Sequence, residues 1–536
     1  MNEDPFTCEG VQPRSGAAGI SYTRRYTDWL RDRQTFEMVG LAVVIGVLAG
    51  SSGVLLHLLL SAFHDLFFGG GARFLSFLGP YYVVLLPTVG GLVVGLMVVF
   101  LAQEAKGAGV SDVVLAVLLH GSRMRPRVAG VKVVATSLAI GSGGSAGIEG
   151  PIIQIGSAIG STVGRWRRLT EEELRIALAA GAAAGIAATF NTPLAGVFFA
   201  LEVILVDFSS RSFGTVVISA VVANVVSRLT LGTEPVFAVT HHALVHPAEL
   251  LLYLLLGILA AVVGFAFIYA LDRSEAAFAG WSIPDYLKPA VGGLAVGATG
   301  LLFPQVFGLG YDTIEAALDD RLPLALMAAL VVVKLVATSI TVGSGSSGGV
   351  IGPSLYLGAV LGGTVGSVFH ALLPQATASP GAYALVGMAA VFSATAHAPI
   401  TAIFTLFELT NDYSIILPLM ISCVVGGYMA HRISPHTIYS VGLGRRGIDV
   451  RLGRVSLSLQ PGLTYLDLVV APGSEASGKH VRDLALPGEC ILVSVTRRGH
   501  PLVPHGDTRL YPGDRVVAVC SPENEGALRA LMEVPG

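Results

Sequence analysis

The chain has 536 residues, of which 53% are hydrophobic and only 13% are charged. Soluble domains carry about 25% charged residues, so this composition excludes a soluble, secreted disulfide-rich or disordered protein and favours a polytopic membrane protein. The net charge of −3 does not suggest a nucleic-acid partner, and the four cysteines show no metal-site spacing. We therefore expect neither a metal nor a cofactor.

The chain opens with a polar segment, residues 1–35, which we expect on the cytoplasmic side because it is rich in arginine just before the first apolar run. From about residue 36 to 430, apolar stretches follow one another closely. Several are shorter than the roughly 20 residues that a spanning helix needs, and glycine and proline interrupt many of them. Such segments are typical of broken helices that end inside the membrane.

An internal repeat divides this region into two similar halves, at about residues 40–230 and 245–440. KVVATSLAIGSGGSAGIEGP begins at Lys132, and KLVATSITVGSGSSGGVIGP begins at Lys334. Duplicated halves with interrupted helices at matching positions are typical of transporters and channels, whose site lies where the two halves meet.

Each copy of the repeat places the pattern GSGxSxGxxGP directly before an apolar helix. Proline is favoured in a first helical turn, so the loop predicts a helix N-terminus within the membrane. The first N–H groups of a helix have no internal partner and carry about half a positive charge. Two such ends that face one point can bind an anion without a buried lysine or arginine, which is costly at membrane depth. The sequence therefore predicts anion transport.

Glu149 is an ionisable residue in the first glycine loop, at a position where the second copy has Ile351. A carboxylate at the positive end of a helix can occupy an anion site and leave it when protonated. We therefore predict that Glu149 is a gate, because an ionisable residue at membrane depth is functional by default. The alternative is a helix-capping carboxylate that never moves.

Over about residues 36–442 the sequence resembles the CLC family of chloride channels and chloride/proton exchangers. The family signature GSGxSxGREGP corresponds to GSGGSAGIEGP at 141–151, its GxFxP signature to GVIGP at 349–353, and a tyrosine near the end of its membrane domain to Tyr439. The resemblance implies an all-α polytopic membrane protein with an inverted repeat of broken and tilted helices. It also implies a homodimer in the cell (plasma) membrane, with one chloride pathway per subunit and both termini cytoplasmic.

The resemblance further implies the roles of individual residues. Glu149 would be the external gate, the backbone amides of Val350 and Ile351 would hold the central anion, and the Tyr439 hydroxyl would donate to it. The other residues that it places around the anion are Ala108, Gly147, Ile148 and Gly150.

Three positions depart from the family pattern. Ala108 stands where a serine hydroxyl usually contacts the anion, and Ile148 replaces the arginine before the gating glutamate. Val203 stands where many exchangers carry the glutamate that transfers protons. Because valine cannot carry a proton, we favour a passive chloride channel over the alternative, a chloride/proton antiporter. Glu202 and Glu408, at matching positions of the two halves, are interpreted as paired structural carboxylates, and proton carriers are the alternative.

A serine hydrolase is a remote alternative, since GGSAG (143–147) and GSSGG (345–349) both fit the pattern G-x-S-x-G. Ser347 would then be the nucleophile of an intramembrane protease, with His397 as its base. The motif lacks a strand–turn–helix context, however, and it occurs twice where one nucleophile is needed. We therefore do not expect an enzyme.

After a short basic linker, residues 443–454, the composition changes. Residues 455–536 contain alternating runs such as ILVSV and RVVAV, which predict half-buried strands of a small soluble α/β domain. Residues 469–487 and 497–519 resemble the TrkA-C domain, the C-terminal half of the regulatory domains of potassium-conductance proteins. The resemblance implies cytoplasmic regulation by an unknown small ligand or stabilisation of a dimer, and a purely structural role stays open.

Overall fold

The structure is a computed structural model that describes residues 17–233, 236–237, 244–444, 448–451, 454–457, 464–488, 490–497, 500–502 and 504–533. The first 16 residues of the polar N-terminal segment, and residues 445–447 and 452–453 of the expected linker, lie outside this range. The described chain is helical up to residue 444, and its last part forms strands and one helix.

The first half contains nine helices within the described residues, and several are short. They are α1 (Ala17–His64), α2 (Ala72–Phe74), α3 (Tyr82–Phe100), α4 (Val110–Leu119), α5 (Arg127–Gly141), α6 (Glu149–Trp166), α7 (Glu171–Phe190), α8 (Pro193–Phe199) and α9 (Ser210–Leu231). A π-helical turn, Ala200–Leu205, continues α8.

The second half repeats this order with similar interruptions. Its helices are α10 (Glu249–Ala279), α11 (Lys288–Gly300), α12 (Tyr311–Leu318), α13 (Leu324–Gly343), α14 (Ile351–Leu372), α15 (Pro380–Ala396), α16 (Pro399–Thr410), α17 (Ile416–Ile433) and α18 (Val441–Gly444). By length and composition, eight helices of the described chain can cross a membrane, and four more apolar helices are too short to do so. The predicted pattern of spanning and interrupted helices is therefore present.

Glycine allows the helices at the centre of each half to pack closely. A methyl group on Gly156 of α6 would collide with the carbonyl oxygen of Gly181 in α7. In the second half a methyl group on Gly358 of α14 would collide with the carbonyl oxygen of Gly387 in α15. Because small residues let helix backbones approach in a membrane, these equivalent contacts fix both inner helices against their neighbours. They thereby fix where α6 and α14 begin.

The C-terminal residues form an antiparallel sheet with one covering helix. The strands are β1 (Ile448–Arg451), β2 (Arg454–Leu457), β3 (Thr464–Val469), β4 (Ile491–Arg497), β5 (His500–Leu502) and β6 (Arg515–Cys520), and the helix is α19 (Glu525–Glu533). Strands β3, β6, β4 and β5 pair in that order, and β1 and β2 form a separate hairpin. Strand β1 lies in the segment predicted as a linker, whereas β2 runs from its last residue into the predicted C-terminal domain. The predicted runs ILVSV and RVVAV are strands β4 and β6. Buried leucine and valine side chains from both sheet and helix form the core of this part.

Candidate anion site

The two glycine loops meet between the halves. The amide of Gly147 donates to the carbonyl oxygen of Gly349 at 2.9 Å, and the amide of Gly349 donates back to Gly147 at 2.6 Å. This short antiparallel pair brings the starts of α6 and α14 together, as the argument from helix dipoles requires.

A third loop, residues 107–109, reaches the same crossing. The amide of Gly107 donates to the carbonyl oxygen of Ser346 at 3.1 Å, and the carbonyl oxygen of Ala108 lies against Gly150, where a methyl group would collide with it. Gly107 and Gly109 have φ angles of 71° and 86°, which favour glycine. The partly buried Ala108 therefore borders the crossing, but its side chain has no hydroxyl to donate.

Hydroxyl pairs link each loop to a helix of the opposite half. Ser347 Oγ lies 2.9 Å from Thr136 Oγ1 of α5, and Ser145 Oγ lies 3.1 Å from Thr338 Oγ1 of α13. All four side chains are buried. The loop serines thus satisfy buried hydroxyl groups across the interface between the halves.

The proposed catalytic pair of the protease alternative is not formed. The Ser347 hydroxyl is paired with Thr136, whereas the His397 ring packs edge-on against His431 with the ring centroids 5.4 Å apart. A serine nucleophile needs a base within hydrogen-bond reach, so this arrangement gives Ser347 no activation.

Two fully buried lysines donate hydrogen bonds to the backbone of the loops that precede α4 and α12. Lys132 Nζ donates to the carbonyl oxygens of Ala105 and Gly107 at 2.9 and 2.7 Å. Lys334 Nζ donates to those of Val306 and Gly308 at 3.0 and 3.1 Å. In the sequence these lysines mark the start of each repeat copy, and no local pattern indicates their contacts. Their equivalent contacts fix the loops that lead into α4 and α12.

Glu149 is the first residue of α6, and it is 4% exposed. Its carboxylate lies across the start of α14, because a methyl group on Gly352 would come within 2.6 Å of Oε1. The Tyr311 hydroxyl donates to Oε1 at 3.5 Å, while Oε2 has no hydrogen-bond partner among the described residues. The negative group therefore lies at the positive end of a helix from the other half.

The other predicted residues surround the same point. Val350 and Ile351 are buried at the start of α14, and Ile351 lines a cavity together with Glu149 and Phe199. Tyr439 is also buried and packs edge-on against Phe199, with the ring centroids 6.2 Å apart. Its hydroxyl has no hydrogen-bond partner among the described residues. Phe199 thus connects the tyrosine to the cavity that contains the glutamate.

The positions that depart from the family pattern are apolar. Ile148 is buried beside Glu149 and supplies no charge. Val203 lies in the π-helical turn after α8 and packs, partly buried, against the core, but it does not line the cavity of Glu149.

Glu202 and Glu408 cap each other's helices. The Glu408 carboxylate accepts hydrogen bonds from the amides of Leu194 and Ala195 at the start of α8, at 2.9 and 2.7 Å. The Glu202 carboxylate accepts from the amides of Ile400 and Thr401 at the start of α16, at 3.2 and 2.7 Å. Each carboxylate satisfies N–H groups that a helix leaves unpaired, which agrees with their interpretation as structural groups.

Sequence reasoning missed Tyr311 and Phe199. Phe199 carries no signal beyond an apolar helix. Tyr311 ends the sequence GLGY (308–311), which is the counterpart of GAGV (107–110) in the first half. Both loops have positive φ angles at their two glycines, so extending the repeat to this segment would have directed attention to Tyr311.

Comparisons with known proteins agree with this geometry. Residues 90–431 match the sequence model of the family described as Voltage gated chloride channel, and residues 466–533 match that of the TrkA-C domain. A ClcB-like chloride channel protein of Ralstonia nicotianae is 36% identical over 68% of this chain and 86% of its own. The H(+)/Cl(-) exchange transporter ClcA of Vibrio cholerae is 33% identical over 77% of this chain and 91% of its own.

A solved structure of a slow cyanobacterial Cl-/H+ antiporter covers 76% of this chain and 97% of its own, with 27% identity and a TM-score of 0.69. The predicted fold class is therefore confirmed, and so is the C-terminal TrkA-C domain. The protein is a multi-pass membrane protein that transports anions, and it is not an enzyme. With well over half of its length matched to one family and its two glycine loops joined at a single point, the chain belongs to the CLC family of chloride channels and transporters.

Proposed function

We propose that this chain conducts chloride passively, as a homodimer in the cell membrane with both termini in the cytoplasm, and that Glu149 gates each pathway. The observation that carries the proposal is the position of the Glu149 carboxylate across the start of α14. A carboxylate at that position occupies a place where partial positive charge favours an anion. It therefore competes with chloride for the same place.

The chemistry of opening follows from this competition. In the open state the backbone amides of Val350 and Ile351 hold chloride, the Tyr439 hydroxyl donates to it, and the loop residues Gly147, Ile148 and Gly150 line its path. The Glu149 carboxylate leaves when chloride displaces it or when it is protonated. Peptide dipoles hold the ion without a full positive charge, so the ion can also leave again.

Two apolar positions support passive flow with modest selectivity. Val203 cannot accept a proton, and it packs against the core rather than into the cavity of Glu149. Ala108 borders the crossing without a hydroxyl, so one contact that would distinguish chloride from nitrate is absent. We expect nitrate to permeate at a rate comparable to that of chloride.

Purified protein in liposomes tests the proposal. Under a chloride gradient, a channel dissipates the gradient and moves no protons, whereas an exchanger drives protons uphill. Glu149→Gln removes the titratable group, and we expect its chloride efflux to be fast at all pH values between 4.5 and 8. An efflux that keeps the pH dependence of the wild-type protein would contradict the gating role.

Chloride/proton exchange is the second candidate, and one contact favours it. The cavity of Glu149 extends to Thr401, whose hydroxyl donates to the Glu202 carboxylate at 2.6 Å. The Glu202 carboxylate, next to Val203 in the chain, is therefore linked through the Thr401 hydroxyl to the cavity that contains Glu149. In addition, a relative of this chain is named as an exchanger. If proton movement is observed, Glu202→Gln should abolish it while chloride flux continues.

We assign the C-terminal domain a cytoplasmic regulatory role. The support is its match to the TrkA-C domain and its own buried core. Titrating small charged metabolites against the purified protein, with thermal unfolding as the readout, would identify a ligand, because a ligand that binds only the folded state raises the melting temperature.

A further inference from the structure

The Glu149 carboxylate has one hydrogen-bond donor from a side chain among the described residues, and this donor is Tyr311. The hydroxyl oxygen of Tyr311 lies 3.5 Å from Oε1 of Glu149. Tyr311 is the first residue of α12, so it reaches the gate from an element that contributes none of the residues predicted to bind the anion. Neither a family motif nor the function proposed above uses it.

The internal repeat explains why a side chain at this position faces the gate. The loop GAGV (107–110) leads into α4 and borders the crossing in the first half. Its counterpart GLGY (308–311) leads into α12, and Gly308 and Gly310 have φ angles of 59° and 77°. The two loops approach the joined helix starts through equivalent turns. Tyr311 therefore occupies the position that corresponds to Val110, but it adds a polar group.

The loop before Tyr311 is held firmly. Lys334 Nζ donates to the carbonyl oxygens of Val306 and Gly308, and its ammonium group lies 4.8 Å from the centre of the Tyr356 ring. A methyl group on Gly310 would come within 2.6 Å of Cε2 of that ring. Because the backbone on which Tyr311 stands is fixed, the hydroxyl is oriented before the carboxylate arrives.

Few ionisable groups compete with this contact. Apart from Tyr311, the titratable side chain that approaches Glu149 from another element among the described residues is Tyr439, and Ile148 beside the carboxylate carries no charge. The ammonium groups of Lys132 and Lys334 donate to backbone carbonyls behind the loops. A hydroxyl that donates to a carboxylate favours its ionised form. The donor from Tyr311 is thus the side-chain contact that stabilises the charged gate.

We propose that Tyr311 is a positioning residue of the gate, and that its hydroxyl holds the ionised Glu149 carboxylate across the start of α14 and so sets the pH at which the pathway opens. This inference rests on the proposed role of Glu149. It goes beyond that role because it assigns the pH of opening to a residue on α12.

The test measures chloride efflux from liposomes that contain full-length protein, at pH values from 4.5 to 8. Tyr311→Phe removes only the hydroxyl, so the carboxylate should be protonated and released more easily. We expect the midpoint of activation by acid to move upward by about half to one pH unit, and efflux at pH 7 to rise about three- to tenfold. Difluorotyrosine at position 311 keeps the size of the side chain and donates more strongly, so it should move the midpoint downward.

Tyr383→Phe is the matched control. It also removes a hydroxyl from a buried tyrosine that donates to a buried carboxylate, because Tyr383 donates to Glu249 at 2.8 Å, away from the gate. Its midpoint should equal that of the wild-type protein. Thermal unfolding in detergent establishes that each variant is folded.

The outcomes separate this inference from the proposed function. An unchanged midpoint in folded Tyr311→Phe and in the difluorotyrosine protein overturns the role of Tyr311 while leaving that of Glu149 intact. If Tyr311→Phe alters the pH profile in a Glu149→Gln background, Tyr311 does not act through the carboxylate, and the inference also falls. Efflux that stays pH-dependent in the single variant Glu149→Gln would instead refute the proposed role of Glu149 as the gate.

Discussion

At the scale of single residues, the serines of the two glycine loops fit the pattern G-x-S-x-G, which serine hydrolases also contain. Their hydrogen-bond partners distinguish a structural role from a catalytic one. Ser347 pairs with Thr136, and Ser145 pairs with Thr338, so each hydroxyl serves the opposite half. A buried hydroxyl without a partner costs about 1–3 kcal/mol, which makes these pairs part of the stability of the crossing. They keep the two loops joined without adding charge at the crossing.

Ser347→Ala should therefore lower stability and leave transport in place. It leaves the Thr136 hydroxyl unpaired, and we expect a loss of about 1–3 kcal/mol, measured by unfolding in detergent. Chloride efflux per folded protein should stay within about twofold. Ser145→Ala is the matched control, since it leaves Thr338 unpaired in the equivalent way and should behave alike. A loss of function by Ser347→Ala alone, at unchanged stability, would revive a chemical role for this serine.

At the scale of elements, two short helices lie side by side, and a carboxylate at or beyond the end of each caps the start of the other. Glu202 lies beyond the end of α8 and caps the start of α16, while Glu408 near the end of α16 caps the start of α8. The two helices are antiparallel neighbours, and the rings of Phe198 and Phe404 stack between them with the centroids 4.3 Å apart. Helices of 7 and 12 residues gain little from their own hydrogen bonds, so such caps matter for their alignment.

Removing one cap should destabilise the pair of helices. Glu408→Ala leaves the amides of Leu194 and Ala195 without an acceptor, and we expect a loss of about 1–2 kcal/mol of unfolding free energy. Glu408→Gln keeps one carbonyl oxygen and should lose about half as much. Unfolding in detergent measures both variants. Equal losses would show that the charge matters rather than the hydrogen bonds.

The sequence predicted the parts of this site that local chemistry determines. A glycine-rich loop followed by proline marks the start of α6, and a lone glutamate at that start is visible as an anomaly, so the sequence alone predicts the position of Glu149 at the helix start. The contact between Thr136 and Ser347 joins residues 211 positions apart, and no local pattern encodes it. Tyr311 was missed because its signal is a four-residue counterpart of GAGV, which is too short to be noticed without the geometry of the loops.

At the scale of the whole molecule, the C-terminal domain has an electrostatic feature of its own. Asp514 is 2% exposed, and it accepts hydrogen bonds from the Arg497 guanidinium at 2.7–3.2 Å and from the amide of Tyr511 at 2.9 Å. Burial opposes ionisation of this carboxylate, but the hydrogen bonds outweigh it and hold the pKa of Asp514 below its usual range. The domain thus contains a carboxylate that is more acidic when folded than when unfolded.

The stability of this domain should therefore fall in acid. Because folding lowers the pKa of Asp514, its contribution is present above the unfolded value of about 4 and is lost as the pH falls through the folded value. Hydrogen exchange of residues 464–533 in the full-length protein, corrected for intrinsic rates, should show protection that decreases in this range. Asp514→Asn should be less protected at pH 7 and should lose this dependence. Asp467→Asn breaks the exposed pair with Arg515 and should change little.

The membrane part and the C-terminal domain have separate hydrophobic cores. Every residue assigned to the anion pathway precedes residue 443. A chain that ends after Leu457 should therefore fold in the membrane and keep a chloride efflux per protein within about twofold of the full-length value. Any response of efflux to a ligand of the C-terminal domain should disappear. A truncated protein that melts at the normal temperature yet carries no chloride would show that the domain is part of the pathway. Loss of a regulator alone would change only the rate of opening, and acid would still activate efflux through the proposed gate, Glu149.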